Sequence, residues 1–253
     1  KMTTVNPFLL NQRLAEMRAA GCTHIVLETT SHAIAQYRIF GIKFNTVLFT
    51  NLAHDHLDYH ATNEQYRDAK LRLFKNYPQV AIANLDDPEG NRFLSLPAER
   101  HYGFMLKGRT TSRTSEVSES LTSEVKTGGS ATMVRGEILE ATATRSRVRV
   151  TTTTRKLELT VPIPGDFNAQ NALGAIAVGF GLDLPAQTIV KGIEAMTAVP
   201  GRMESIDKGQ SFRVIIDYAH TPDSLKQVFE LLKPTVKGRL IHVGGATGDR
   251  DRT

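Results

Sequence analysis

Three histidines and two aspartates crowd into seven residues, His54, Asp55, His56, Asp58 and His60. Packing alone explains such a run poorly, because each imidazole and carboxylate needs a polar partner once it leaves water. A metal ion or a polyanion is the chemistry that suits it. The spacing is not that of a Cys/His zinc finger or of the His-Glu-x-x-His helix of zinc proteases. It approaches the His-x-His-x-Asp-His pattern of dinuclear metallo-hydrolases, except that Tyr59 separates Asp58 from His60, which that pattern places side by side. Carboxylates with few imidazoles suit Mg²⁺ held through water and nucleotide phosphates. Glu28 precedes Thr29-Thr-Ser-His32 and, taken alone, reads as a hydrated acid at a strand end. Lys70, flanked by Leu71, Leu73 and Phe74, reads by default as a solvated lysine, and becomes a metal- or phosphate-facing group only if its helix packs beside the acidic run.

What could bring these groups together is the order of the elements around them. Residues 24–28 and 46–49 are short, apolar, β-branched runs, the pattern of buried strands in a parallel sheet. Glu28 and the His54 to His60 run lie at or beyond their carboxyl ends, the edge at which open α/β sheets bind ligands. Apolar residues at helical spacing predict a helix over 8–20, stopped by Gly21, and another over 64–76, with a further strand at 80–83. Strand and helix alternate with short connections, as in a sheet covered by helices.

Between 106 and 162 the composition turns to Ser, Thr, Val and charge, with a loop over 108–129 and alternation at 147–150 and 157–161 that predicts antiparallel strands. Helices are predicted at 168–181 and 186–197, with the Val199-Pro-Gly-Arg202 break after them. A strand at 213–217, a helix at 223–232 and a strand at 239–243 begin a second α/β unit that is cut off at Thr253.

The fold class expected is therefore α/β. A mostly parallel sheet with flanking helices carries a small antiparallel β section and leads into the start of a second, Rossmann-like domain, the domains being 1–199 and 200–253. A chain of 253 residues with 40% hydrophobic and 23% charged content can bury such a core. The net charge of +5 comes from Lys and Arg interleaved with acids, with no basic stripe and stacking aromatics, which argues against nucleic acid and for a phosphate-rich small ligand. No run approaches the roughly eighteen apolar residues of a membrane span, nor does 1–7 contain a signal-peptide core, so a cytoplasmic location is expected. The lone Cys22 cannot form an intrachain disulfide.

Seven blocks in order resemble the successive motifs of the Mur ligase family. They are Glu28-Thr-Thr-Ser-His32; Phe49-Thr-Asn-Leu with Asp55-His-Leu-Asp-Tyr-His60; Tyr66-x-x-Ala-Lys70-x-x-Leu-Phe74; Gly165-Asp-Phe-Asn168-Ala-Gln-Asn171; Pro200-Gly-Arg202-Met-Glu204; Asp217-Tyr-Ala-His220-Thr-Pro-Asp223; and Gly248-Asp-Arg-Asp251. The resemblance runs over nearly the whole chain, weakest between 106 and 162, and is nearest the MurE branch, which adds diaminopimelate or lysine to UDP-MurNAc-L-Ala-D-Glu.

That resemblance implies ATP and Mg²⁺ as cofactors, with a UDP-MurNAc-dipeptide and an amino acid as partners. Glu28 and His56 would be Mg²⁺ ligands, and Lys70 would join them as a carbamate, these three being the catalytic group. Asn168, Asn171, Arg202, Asp217 and His220 would hold the nucleotide, and Thr30, Gln36 and Arg38 the muramoyl peptide, Arg38 being suited to an anionic group. The reaction implied transfers the γ-phosphate of ATP to a carboxylate, and an amine then attacks the acyl phosphate. Both reactants of the first step are anions, so fixed cations and Mg²⁺ must screen them.

The pattern departs in places. The family's Gly-x-x-Gly-Lys-Thr/Ser phosphate loop is absent, and Lys1-Met-Thr-Thr-Val5 resembles the segment just C-terminal to that loop. The chain therefore reads as a fragment lacking the UDP-binding domain and the end of the last domain. It is expected to be inactive alone. Thr29 and Thr30 replace the usual Val/Leu and Ser. Rival readings are a folylpolyglutamate- or cyanophycin-synthetase-like ligase and, in another class, a metal-dependent hydrolase built on the His54 to His60 run. A nucleotide-binding module without turnover is a further possibility for the isolated chain.

Overall fold

The computed structural model describes residues 4–52, 57–107, 131–196 and 198–245, with backbone alone at 57, 58 and 223. Its elements in chain order are α1 (Pro7–Ala19), α2 (Ser31–Ala35), β1 (Thr46–Phe49), α3 (Leu57–His60), α4 (Asn63–Phe74), β2 (Val80–Asn84), α5 (Gly90–Leu94) and β3 (Arg100–Leu106). Then come β4 (Thr132–Ala141), β5 (Ser146–Thr151), β6 (Lys156–Val161), α6 (Asp166–Gly181), α7 (Ala186–Glu194), β7 (Glu204–Ile206), β8 (Val214–Ile216) and α8 (Pro222–Leu232). Six strands form one sheet in chain order: β1 to β4 run parallel, and β4, β5 and β6 pair antiparallel. The α/β class with its antiparallel extension is thus the observed architecture.

Strand alternation decides which helix covers which face. Val80 and Ile82 of β2 point to one side, where Leu173, Ile176 and Ala177 of α6 and Ile189 and Ile193 of α7 close a core with Phe104, Val134, Val148 and Val150. Ala81 and Ala83 point to the other, against Leu71 and Phe74 of α4 and Phe93 and Leu94 of α5. All five residues of β2 are buried, as a strand covered on both faces must be. The helices begin where their caps dictate. Asn6, Thr30, Thr62 and Thr221 each accept a backbone N–H with the side chain, and Thr221 and Ser224 form a reciprocal capping box.

Two expected strands are not strands. Residues 24–28 and 239–243 have the composition but no ladder, and Val26, Ile241 and Val243 are exposed. A strand exists only through hydrogen bonds to a neighbour, and neither segment has one among the described residues. The run at 213–217 does form β8, which pairs antiparallel with β7. Conversely β3 and β4, at the centre of the sheet, have no counterpart among the strands the sequence pattern predicts. The expected loop at 108–129 and the block Gly248-Asp-Arg-Asp251 lie outside the described residues. No helix of the described residues is long and apolar enough to cross a membrane.

Candidate active site

The parallel strands β1 and β2 end side by side, and the turn that leaves β1 is held residue by residue. The Asn84 side-chain amide at the end of β2 donates to the Thr50 carbonyl at 2.7 Å. Lys70 Nζ, from α4, donates to the Asn51 carbonyl at 3.0 Å. The Leu52 N–H donates to Asp87 Oδ2 at 2.7 Å. Three consecutive residues leading into the histidine-aspartate run are therefore pinned by three different side chains. Lys70 lies over the Tyr66 ring at 4.8 Å and near that of Phe49 at 5.9 Å, contacts that favour a cation there. Asp87 also accepts the Glu89 N–H at 2.9 Å. Burial pushes its carboxyl above the ordinary carboxylate range, against the Leu52 and Glu89 N–H groups and the Lys70 charge, which pull it down.

A second set of contacts ties α2 to α3 and α4. The buried His60 places Nε2 2.9 Å from the Ser31 hydroxyl, also buried, and stacks on Tyr66 at 5.4 Å. His32 lies 4.2 Å from the Tyr59 ring, and the Gln36 side-chain amide donates to the Tyr59 hydroxyl at 3.2 Å. Arg38 donates to the Gln36 side-chain oxygen and, at 3.0 Å, to the Thr4 carbonyl. Thr4, itself buried, donates its hydroxyl to the Glu28 carbonyl at 3.3 Å. Thr30 caps α2 by accepting the Ala33 N–H at 3.1 Å. Thr30, Gln36, Arg38 and Lys70 therefore belong to one connected region, linked through Thr4, Ser31, Tyr59, His60 and Tyr66, which Glu28 joins by its backbone carbonyl. His56 lies outside the described residues.

The residues expected to hold a nucleotide fall into two groups. Asn168 and Asn171 lie in the first turns of α6, three positions apart and so on one helix face; Asn168 donates to the Pro164 carbonyl at 2.8 Å, and Asn171 is exposed. Arg202, Asp217 and His220 are assembled by local contacts. Asp217 accepts the Met203 N–H at 2.8 Å and the Ala219 N–H at 2.7 Å, fastening the turn at 201–204 to the loop after β8. The Arg202 guanidinium lies over the Tyr218 ring at 5.1 Å, and His220 Nδ1 lies 2.9 Å from the Tyr218 carbonyl.

At the β1 edge the Asn51 carbonyl is taken by the Lys70 ammonium, and the two Asp87 oxygens by the Leu52 and Glu89 N–H groups. Among the described residues no group of three His, Cys, Asp or Glu is placed to hold a metal by itself. Sequence reasoning does not single out Asn84, Asp86, Asp87, Ser31 or Gln170. The Asn84-Leu-Asp-Asp-Pro88 run directly after a strand is the available signal, polar residues at a carboxyl edge.

Residues 1–179 match the Mur ligase middle domain, and residues 201–253 match the Mur ligase, glutamate ligase domain. The UDP-N-acetylmuramoyl-L-alanyl-D-glutamate–2,6-diaminopimelate ligase of Thermosynechococcus vestitus is 37% identical over 256 residues, covering 99% of this chain and 47% of that protein. The ligase of the same name from Bacillus licheniformis is 33% identical over 261 residues, covering all of this chain and 49% of that protein. The chain thus spans about half the length of these relatives. Among solved structures, one of a UDP-N-acetylmuramoyl-L-alanyl-D-glutamate–2,6-diaminopimelate ligase superposes with a TM-score of 0.71 at 27% identity, covering 98% of this chain and 47% of that one. MurF from Acinetobacter baumannii shares the fold, with a TM-score of 0.57 at 22% identity over 75% of this chain and 37% of that one.

Proposed function

Because the chain belongs to the Mur ligase family, we propose that it is the ATP- and substrate-handling part of a MurE-type ligase of peptidoglycan synthesis. The observation that carries this reading is the 37% identity to a diaminopimelate ligase along 99% of the chain. The substrates would be UDP-MurNAc-L-Ala-D-Glu, an amino acid such as diaminopimelate or lysine, and ATP. The location would be the cytoplasm. We read 1–199 as the central domain and 200–253 as the opening of the next, a division supported by family matches that end at 179 and begin at 201.

In this reading Arg38, backed by Gln36 and the Thr4 carbonyl, meets an anionic group of the muramoyl peptide, and Thr30 orients the same substrate. Asn168 and Asn171 hold the adenine side of the nucleotide, while Arg202, Asp217 and His220 hold its phosphate and ribose. Mg²⁺, held by Glu28, His56 and Lys70 once carbamylation replaces the ammonium that bonds Asn51 here, would neutralise charge between the nucleotide and the acceptor carboxylate. The carboxylate takes the γ-phosphoryl group of ATP and releases ADP, and the amine then displaces phosphate from the acyl phosphate with loss of a proton. Convergence is what the chain contributes, since reacting atoms must approach to about 3–3.5 Å.

The decisive experiment exchanges these 253 residues for the matching span of the Thermosynechococcus vestitus ligase and assays amide formation from muramoyl dipeptide, ATP and diaminopimelate. Ligation is expected, with a loss of at least about a hundredfold on Lys70→Ala, the scale of removing a group that stabilises transferring charge. A folded chimera that binds nucleotide but forms no amide overturns the reading. The 253 residues contain no Gly-x-x-Gly-Lys-Thr/Ser loop, so the chain alone is expected to bind Mg·ATP weakly and to form no product. Zn²⁺- or Fe-dependent hydrolysis without nucleotide would select the hydrolase instead.

A further inference from the structure

Gln170 stands between Asn168 and Asn171 in the helix that carries both. Steps of about 100° per residue turn its side chain away from theirs, toward the sheet. Its amide nitrogen lies 2.6 Å from Asp86 Oδ2 and 3.3 Å from the buried Asn84 Oδ1. Neither partner is a passive surface group. Asp86 Oδ2 also accepts the Leu106 N–H at 2.8 Å, which ties it to the end of β3. Asn84 Oδ1 accepts the Asp86 N–H at 3.0 Å, and the Asn84 amide donates to Thr50 at 2.7 Å. One polar relay thus runs from α6, across the carboxyl ends of β2 and β3, to the turn after β1 where Lys70 bonds Asn51.

The helix is also seated on the sheet by Ala169, Leu173 and Ile176, and its carboxyl end is held by Arg100 and Tyr102, which donate to the Gly181 and Phe180 carbonyls, so Gln170 supplies the directional contact at the end that carries Asn168 and Asn171. A directional bond to a carboxylate fixes the rotation of the helix at that end. We propose that Gln170 is a positioning residue: by bonding Asp86 and Asn84 it sets the rotation of α6, and so aims Asn168 and Asn171 at the nucleotide while fixing them relative to the Lys70 turn. This rests on the reading of those asparagines as nucleotide ligands.

The test is Mg·ATP titration by calorimetry of the chimera in which these 253 residues replace the matching span of the Thermosynechococcus vestitus ligase, with melting temperatures recorded in parallel. Gln170→Leu keeps the bulk and removes the donor. Gln170→Glu sets a carboxylate against Asp86. The double variant Gln170→Glu with Asp86→Asn removes the like-charge clash and, with a turn of the new amide, restores a donor to residue 170, since Asp86 Oδ2 is the atom that both Gln170 and the Leu106 N–H meet. Binding is expected to weaken about tenfold in each single variant, within the range for members of one hydrogen-bond network, and to return to within about threefold of wild type in the double variant. A merely structural role would lower the melting temperature and leave the dissociation constant, read well below the transition, where wild type has it. That result, or a double variant as weak as Gln170→Glu, overturns the proposal while the ligase reading stands. A chimera that forms amide with unvaried Gln170 but shows no loss of Mg·ATP affinity in either single variant overturns the proposal alone; a folded chimera that binds Mg·ATP and forms no amide overturns the ligase reading.

Discussion

Gly90 opens α5 against the end of β2, and a Cβ built there would lie 1.9 Å from the Asn84 carbonyl oxygen and 2.9 Å from its carbon. Carbon-to-oxygen contacts close no nearer than about 3.3 Å, so Gly90→Ala forces a separation of roughly 1.4 Å between two backbones, with no flexible side chain to absorb it. Moving α5 disturbs Phe93 and Leu94, both fully buried, and the Phe93 ring stacked on Phe49 at 3.8 Å. Moving Asn84 instead disturbs its bonds to Thr50 and Gln170. Either way the cost should sit at the upper end of overpacking, about 3–4 kcal/mol. Gly192 supplies the opposite case: it is exposed, within α7, and a Cβ there meets nothing within 4 Å. Gly192→Ala should stabilise by about 0.5–1 kcal/mol, by relieving the entropy that a helical glycine loses on folding. Urea unfolding monitored by circular dichroism should separate the two variants by about 4 kcal/mol. At roughly 2–4 °C per kcal/mol, melting should fall by about 6–16 °C for the first variant and rise by a few degrees for the second. A Gly90→Ala protein within about 1 kcal/mol of wild type, with an unchanged denaturant slope, would refute the steric reasoning.

Asp87 gives a pH dependence whose sign is fixed. Its folded-state carboxyl is raised by burial, so the stability it contributes is full below the ordinary Asp value of about 3.9 and is lost as pH rises through the higher folded value. Asp87→Asn cannot ionise. Apart from a constant penalty of about 1–3 kcal/mol for one of the two N–H groups it can no longer accept, the variant should gain on wild type as pH rises from about 4, and a difference that stays flat across pH in denaturation curves rejects the assignment. Asp183 has φ 56° just after α6 and an exposed ion pair with Arg100 at 2.9 Å. Asp183→Gly should relieve the first while losing little from the second, for a net change under about 1 kcal/mol; a loss above about 2 kcal/mol would show the pair to be worth more than its exposure allows.

Much of the fold is legible because a strand covered on both faces must be apolar throughout, and one face of each helix must be apolar. β1 and β2 announce themselves as Thr-Val-Leu-Phe and Val-Ala-Ile-Ala-Asn, and α4 and α6 by helical spacing. β3 does not, because it opens on Arg100 and His101. Its polar groups are satisfied by tertiary partners: Arg100 reaches Asp183 and the Gly181 carbonyl, and His101 Nε2 lies 2.9 Å from the Leu96 carbonyl. The converse holds at 24–28 and 239–243, where composition promises strands and no neighbour supplies the ladder among the described residues. Propensity describes what a segment can form, whereas pairing depends on another segment.

The same distinction separates the motifs from the site. Glu28, Lys70, Asn168 and Arg202 are conspicuous by type and order, yet nothing in their spacing says what orients them. For the turn beside Lys70 and the helix bearing Asn168, that task falls to Asn84, a buried residue at the sheet's carboxyl edge, whose single side chain reaches Thr50, 34 positions back, and Gln170, 86 positions on. A buried amide is tolerated only when its donors and acceptor are engaged, so the residue can hold this place only if β1, β2 and α6 are already in register. Errors in assembling the site are then also errors in folding: a chain with α6 turned away from Asp86 forfeits the Gln170 bonds to Asp86 and Asn84. The relay that aims the proposed nucleotide ligands is therefore selected by the same free energy that closes the sheet.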